Sequence, residues 1–171
     1  VREKDGLWAV LMWLNILAAR RQSVAEIMDD HWATYGRDVY SRHDYEGVDK
    51  AAAEALMADL RASLPDLPGR EVAGLTLTAA DDFSYVDPVD GSKASGQGIR
   101  LFFGDQARAV LRLSGTGTVG ATLRVYLEQF HAEGALSDAE AKAAIAEVAG
   151  AVAEITDLQR RLGRDKPDVE T

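Results

Sequence analysis

The chain is 171 residues long, about one ordinary domain, and at 47% apolar and 27% charged it has the composition of a folded protein, not a disordered one. Nineteen Lys and Arg against 28 Asp and Glu leave a net charge of −9, which argues against sequence-general nucleic-acid binding. The absence of cysteine excludes disulfides, thiolate metal sites and cysteine nucleophiles.

The first predicted element is also the longest apolar run, Leu7 to Ala19, interrupted by Asn15. It falls short of the ~20 residues that span a bilayer, and no signal-peptide pattern precedes it, so a cytoplasmic protein without a membrane partner is expected. As a helix it is apolar nearly all round, the mark of burial on every side. The rest of the chain offers few neighbours to cover it. That mismatch predicts the C-terminal portion of a longer polypeptide, the alternative being an exposed, dimer-forming helix. Next, Ser23-Val24-Ala25-Glu26 reads as a capping box opening a helix through Ile27, Met28 and Trp32 to Gly36. Gly36 to Gly47 has turn residues and aromatics without a helical period, which predicts a linker merging into a short extended piece. Asp49 to Leu64 reads as a helix with Leu56, Leu60 and Leu64 on one stripe, closed by Pro65 and Pro68. The period then changes. Val72 to Thr78, Phe83 to Val86 and Ile99 to Phe103 are β-type runs, with Asp87-Pro88-Val89-Asp90-Gly91 as a turn before the last. A second capping box, Ser137-Asp138-Ala139-Glu140, opens a final helix striped by Ile145, Val148, Val152 and Ile155. Arg160 and Arg161 are expected in its last turn and Gly163 as its cap. Strands flanked by helices predict an α+β fold, with helices on one face of an antiparallel sheet.

The chemistry concentrates in residues 106 to 127, which hold Arg108, Arg112 and Arg124 and no carboxylate. Within them lies Ser114-Gly115-Thr116-Gly117-Thr118-Val119-Gly120-Ala121-Thr122. Glycines let backbone amides turn inward as an anion nest, hydroxyls add donors, and guanidinium forks match phosphate oxygens. Gly115-x-Gly117-x-x-Gly120 matches the dinucleotide fingerprint, which needs a strand before it and a helix after it. Period-two alternation on both sides, Ala107 to Leu113 and Thr122 to Glu128, contradicts that turn. A P-loop fails as well, since Ala121 stands where its lysine belongs. Two strands instead put Arg112 and Arg124 on the polar face, able to grip one phosphate from both sides. A Gly-rich turn with two solvated arginines is the plainer reading of the same residues. His31 and His43 read as surface or helix-terminal side chains, and the tryptophans as core or interface residues. Asp87 and Asp90 are too few carboxylates for a metal site, so none is expected.

The string Arg112-Leu113-Ser114-Gly115-Thr116-Gly117-Thr118-Val119-Gly120-Ala121-Thr122-Leu123-Arg124 resembles the phosphate-binding loop of the α-D-phosphohexomutases, in the phosphoglucomutase branch. Arg2-Glu3-Lys4-Asp5-Gly6-Leu7-Trp8-Ala9, Asp30-His31-Trp32 with Tyr45-Glu46, and Asp87-Pro88-Val89-Asp90-Gly91 resemble that branch in the same order, so the likeness covers essentially the whole chain. It implies an enzyme of four domains that interconverts glucose 1-phosphate and glucose 6-phosphate through glucose 1,6-bisphosphate, using a phosphoserine and Mg²⁺. It also implies a TATA-binding-protein-like fourth domain that holds the substrate's non-reacting phosphate. By position Arg112, Ser114, Gly115, Thr116 and Arg124 are then phosphate ligands, Gly117 and Thr118 support them, and Lys4 matches a lysine that reaches the reacting region. Residues 1–22 become the tail of the third, α/β domain, 23–36 a connecting helix and 37–171 the fourth domain. The phosphoserine segment, Asp-rich metal loop and sugar-binding loop of the family have no match here. The implied partners are a hexose phosphate and the remaining domains of the same polypeptide, with Mg²⁺ held by those domains and this portion inactive alone. Two other readings stand beside it: a non-catalytic sugar-phosphate-binding domain, and a fragment of a dinucleotide-binding oxidoreductase.

Overall fold

A computed structural model describes residues 4–115 and 120–171. The chain divides into two compact units, one of residues 1–37 with 131–136 and one of residues 38–130 with 137–171.

In the first unit, α1 (Gly6–Arg20) begins where Asp5 Oδ1 accepts a hydrogen bond from the Trp8 amide at 3.0 Å. None of its side chains is buried, and Leu7 is 80% exposed. α2 (Val24–Tyr35) has the predicted capping box, with both reciprocal bonds between Ser23 and Glu26 formed. The Arg37 guanidinium lies 4.2 Å from the centre of the Trp32 ring and donates to the Leu136 carbonyl at 3.2 Å.

The second unit is built on a seven-stranded sheet in the order β2-β3-β6-β7-β8-β1-β9. Its strands are β1 (Arg37–Val48), β2 (Glu71–Val72), β3 (Leu75–Asp82), β6 (Ile99–Phe103), β7 (Ala107–Ser114), β8 (Ala121–His131) and β9 (Val169–Glu170). A separate hairpin, β4 (Tyr85–Val86) with β5 (Lys93–Ala94), carries the Asp87–Gly91 turn. β2-β3, β3-β6, β6-β7, β7-β8 and β1-β9 are antiparallel pairs. Helices α3 (Lys50–Ser63) and α4 (Asp138–Thr156) pack on this sheet, both against β7. Leu111, Leu123 and Leu127 from the strands and Leu56, Val148 and Val152 from the helices are shut from solvent. Alternate residues of β7 (Arg108, Val110, Arg112) leave that core for the opposite face. The fold is α+β.

Three local expectations change. Residues 37–48 form a full strand, not a linker, because β8 and β9 pair with both of its edges. Tyr40, Arg42 and Asp44 alternate with the positions of the buried Val39 and Tyr45 and, being polar, carry no apolar signal of a strand. The 72–78 run is cut by a tight turn at Ala73-Gly74, whose φ values are 47° and 84°. The last helix stops at Thr156, where Asp157 is left-handed at φ 50°, so Arg160 and Arg161 belong to a separate α5 (Leu158–Leu162), capped by Gly163.

His43, on β1 opposite Glu170 of β9, is held below the ordinary histidine range by its burial, with the Glu170 charge opposing weakly. The unfolded chain therefore binds this proton first as pH falls. The neutral His43 contribution is complete above about pH 6.5 and is lost as pH drops through the lower folded value. Thermal melts from roughly pH 7 to 5 should show this loss, and His43→Gln should flatten that part of the profile relative to the parent.

Candidate functional site

The β7-β8 hairpin sets the geometry. Its register places Arg108 opposite Glu128, Val110 opposite Tyr126, Arg112 opposite Arg124, and Ser114 opposite Thr122. Core residues Leu111 and Leu113 alternate with these, opposite Val125 and Leu123. Opposite charges facing across a strand pair stabilise it and like charges oppose it. At the far end of the hairpin the usual arrangement holds, with Arg108 Nη2 donating to Glu128 Oε2 at 2.7 Å. At the loop end two arginines are register partners instead.

Several other arginines of this unit are neutralised. Arg100 makes a forked pair with Asp81 at 2.8 and 2.6 Å, and Arg61 meets Asp82 at 2.7 Å. Among the described residues Arg112 has no acidic partner. It lines two recesses: one of about 750 Å³ on the open sheet face with Tyr40, Arg42 and Tyr126, and one of about 380 Å³ with Glu54, Arg61 and Gln97. Arg124 is not isolated from acids. Asp44 of β1, itself buried, brings Oδ2 to 3.7 Å from Arg124 Nε and Oδ1 to 3.0 Å from Arg42 Nε. The acid-free character of residues 106–127 is thus a property of the sequence, and the fold adds a carboxylate from elsewhere.

The loop between the strands has its ends fixed. Ser114 Oγ donates to the Thr122 carbonyl at 3.4 Å, and Gly115 follows, with Lys50 Cε 4.0 Å from where its Cβ would lie. At the other end Gly120, at φ +74°, lies so close to Gly47 that an added Cβ would meet the Gly47 backbone at 2.9 Å. Thr116, Gly117 and Thr118, the expected middle of the phosphate loop, lie outside the described residues, as do Arg2 and Glu3. Lys4 belongs to the first unit and is exposed.

Two contributors are not evident in the sequence. Asp44 is one; its only signal is the Arg42-x-Asp44 spacing, which puts both on one face of a strand. Gly98 is the other. At φ +148° it sits under Arg112, where a Cβ would come within 2.8 Å of Arg112 Cγ and 3.1 Å of the Leu111 carbonyl. Gly98→Ala should push the Arg112 stem aside; if Arg112 holds a phosphate, inorganic phosphate should bind the folded variant about tenfold more weakly, roughly 1.4 kcal/mol, as read by titration.

Comparison with known proteins agrees with this architecture. Residues 37–168 match the family model "Phosphoglucomutase-1, C-terminal domain", and residues 1–35 match "Phosphoglucomutase/phosphomannomutase, alpha/beta/alpha domain III". The chain is 52% identical over its whole length to a phosphoglucomutase of Rhizobium radiobacter and 44% identical to phosphoglucomutase-1 of Homo sapiens, covering 32% of each. Among solved structures it is similar to the open form of Paramecium pp63/parafusin, an exocytosis-sensitive phosphoprotein described as a phosphoglucomutase. That match has a TM-score of 0.86 at 41% identity and covers all of this chain and 30% of that one. The chain spans about a third of the length of the relatives it matches. With a C-terminal-domain match over most of its residues and relatives this similar along its full length, the chain belongs to the phosphoglucomutase family.

Proposed function

We propose that this chain is the C-terminal part of a phosphoglucomutase that interconverts glucose 1-phosphate and glucose 6-phosphate, and that its β7-β8 hairpin holds the substrate's non-reacting phosphate. The observation that carries the reading is the Arg112-Arg124 pair: two like charges opposed across a ladder at the mouth of a Gly-rich loop. A dianionic ester between them turns that repulsion into two charge-assisted contacts, each worth about 1.5–3 kcal/mol. Beyond a Debye length of about 8 Å the acidic remainder of the protein is screened, so the local arginines and loop amides decide the binding.

A clamp that reads charge and oxygens, and ignores sugar stereochemistry, suits a substrate that must be held in two orientations. Its binding energy is remote from the reacting hydroxyl and is available to orient it. On this reading Arg112, Ser114, Gly115, Thr116 and Arg124 contact the phosphate, Gly117 and Thr118 shape the loop, and Lys4 reaches the reacting region. Residues 1–22 end the third domain, 23–36 connect, and 37–171 form the fourth. The exposed apolar side of α1 packs against the remainder of the third domain. Among the described residues no three His, Asp or Glu side chains converge on a metal position. On this reading the Mg²⁺ of the reaction is held by other domains of the polypeptide. Among the described residues no helix is long and apolar enough to cross a membrane, and the reading keeps a cytoplasmic setting.

The test is a coupled assay of the complete polypeptide with Mg²⁺ on glucose 1-phosphate and on mannose 1-phosphate. Isomerisation of glucose 1-phosphate supports the reading. Sugar-phosphate binding without turnover in the complete protein would replace it with a non-catalytic sensor.

A further inference from the structure

We propose that Asp44 is a positioning residue for the phosphate clamp: it holds Arg124, together with Arg42, by the Nε edge, leaving the terminal nitrogens of Arg124 to face the anion beside Arg112. The inference rests on the proposed role of the β7-β8 hairpin and extends it to a residue on another strand.

Three observations converge on Asp44. It is the one charged side chain that is buried among the described residues, at 3% exposure. Burying a carboxylate costs several kcal/mol unless it is paired, so its position requires compensation. Its partners are two arginines, at 3.0 Å and 3.7 Å, and one of them is a member of the cross-strand pair at the loop. Lastly, Arg42 Nε, Asp44 Oδ1 and Arg124 Nε are all shut from solvent and lack an aligned hydrogen bond. Charge proximity alone holds the three together. The Arg124 side chain remains 42% exposed although its Nε is shut from solvent, so its solvent-facing part lies away from Nε, and its terminal nitrogens have no partner among the described residues. A carboxylate placed this way also offsets the repulsion between Arg112 and Arg124 while no anion is bound.

Positioning and simple neutralisation predict opposite signs. If Asp44 only reduces positive charge, removing its charge strengthens anion binding. If it aims Arg124, removing it weakens binding despite the gain in positive charge.

The experiment measures turnover of glucose 1-phosphate and titration with inorganic phosphate in the complete polypeptide, for the parent, Asp44→Asn and Asp44→Glu, with thermal melts alongside. The expected result for Asp44→Asn is a KM raised at least tenfold with kcat within about threefold, and phosphate affinity lowered in parallel. Asp44→Glu keeps the charge but carries it one methylene farther, and should recover thermal stability while leaving KM raised at least threefold. A folded Asp44→Asn with unchanged or lower KM overturns the proposal, as does an Asp44→Glu with parental KM. If Asp44→Asn does not fold, Asp44→Glu decides. A parent that binds phosphate without turnover overturns the enzymatic reading alone, and the phosphate titrations of the variants still decide the role of Asp44. A parent that neither turns over nor binds phosphate overturns both.

Discussion

Replacing Arg112 or Arg124 with alanine in the complete enzyme is expected to lower kcat/KM by about 2–4 kcal/mol, roughly thirty- to several-hundred-fold. On the proposed role, each substitution removes charge-assisted contacts to the bound dianion. The loss should be visible without any loss of fold. Because the two residues oppose each other in the ladder, Arg112→Ala relieves a like-charge pair, and the melting temperature of that ligand-free variant should hold or rise by an amount worth a few tenths of a kcal/mol, whereas Arg124→Ala also takes a partner from the buried Asp44 and should lower it. The two losses should also fall short of adding in the double variant, since both side chains serve one anion. Steady-state kinetics on the two single variants and the double, paired with melts, checks all of this. Parental kinetics in both single variants would remove the clamp.

Gly120→Ala is expected to destabilise the second unit by about 2–4 kcal/mol, read as a fall in melting temperature and in the denaturant midpoint. Two costs combine. A side chain at φ +74° is strained wherever it sits. Here its Cβ would also meet the Gly47 backbone at 2.9 Å, and a main chain cannot rotate away as a side chain can. Since Gly47 lies one residue from the end of β1, the strand that carries Asp44, the displacement should reach the proposed clamp. Phosphate affinity should therefore fall as well in the fraction that remains folded. A Gly120→Ala protein with parental melting temperature would mean that the loop end is not packed against β1.

The fold was legible wherever one local rule acted alone. Both capping boxes announced their helices, and the alternation on either side of the Gly-rich loop disclosed β7 and β8, the step that separated this loop from a dinucleotide turn. β1 was hidden because Tyr40, Arg42 and Asp44 break its apolar pattern, and its extended form comes from pairing with β8 and β9, which no local window contains. The break at Asp157 was hidden for a related reason, since the apolar stripe of α4 ends next to good helix formers. For the site, the arginines and hydroxyls were readable because one hairpin joins them. Asp44 and Gly98 were not, because each acts through a contact with a strand distant in sequence.

That difference in sequence distance has a consequence for how the protein is made. A hairpin closes in microseconds from its own turn, whereas partners far apart in the chain meet later, after larger loops have closed. The two clamp arginines arrive with the hairpin and repel each other, and the carboxylate that balances them arrives only when β1 docks along β8. On the proposed roles, the nascent chain then holds both cationic arms before the carboxylate that aims one of them, and capture of a phosphate waits on completion of the sheet.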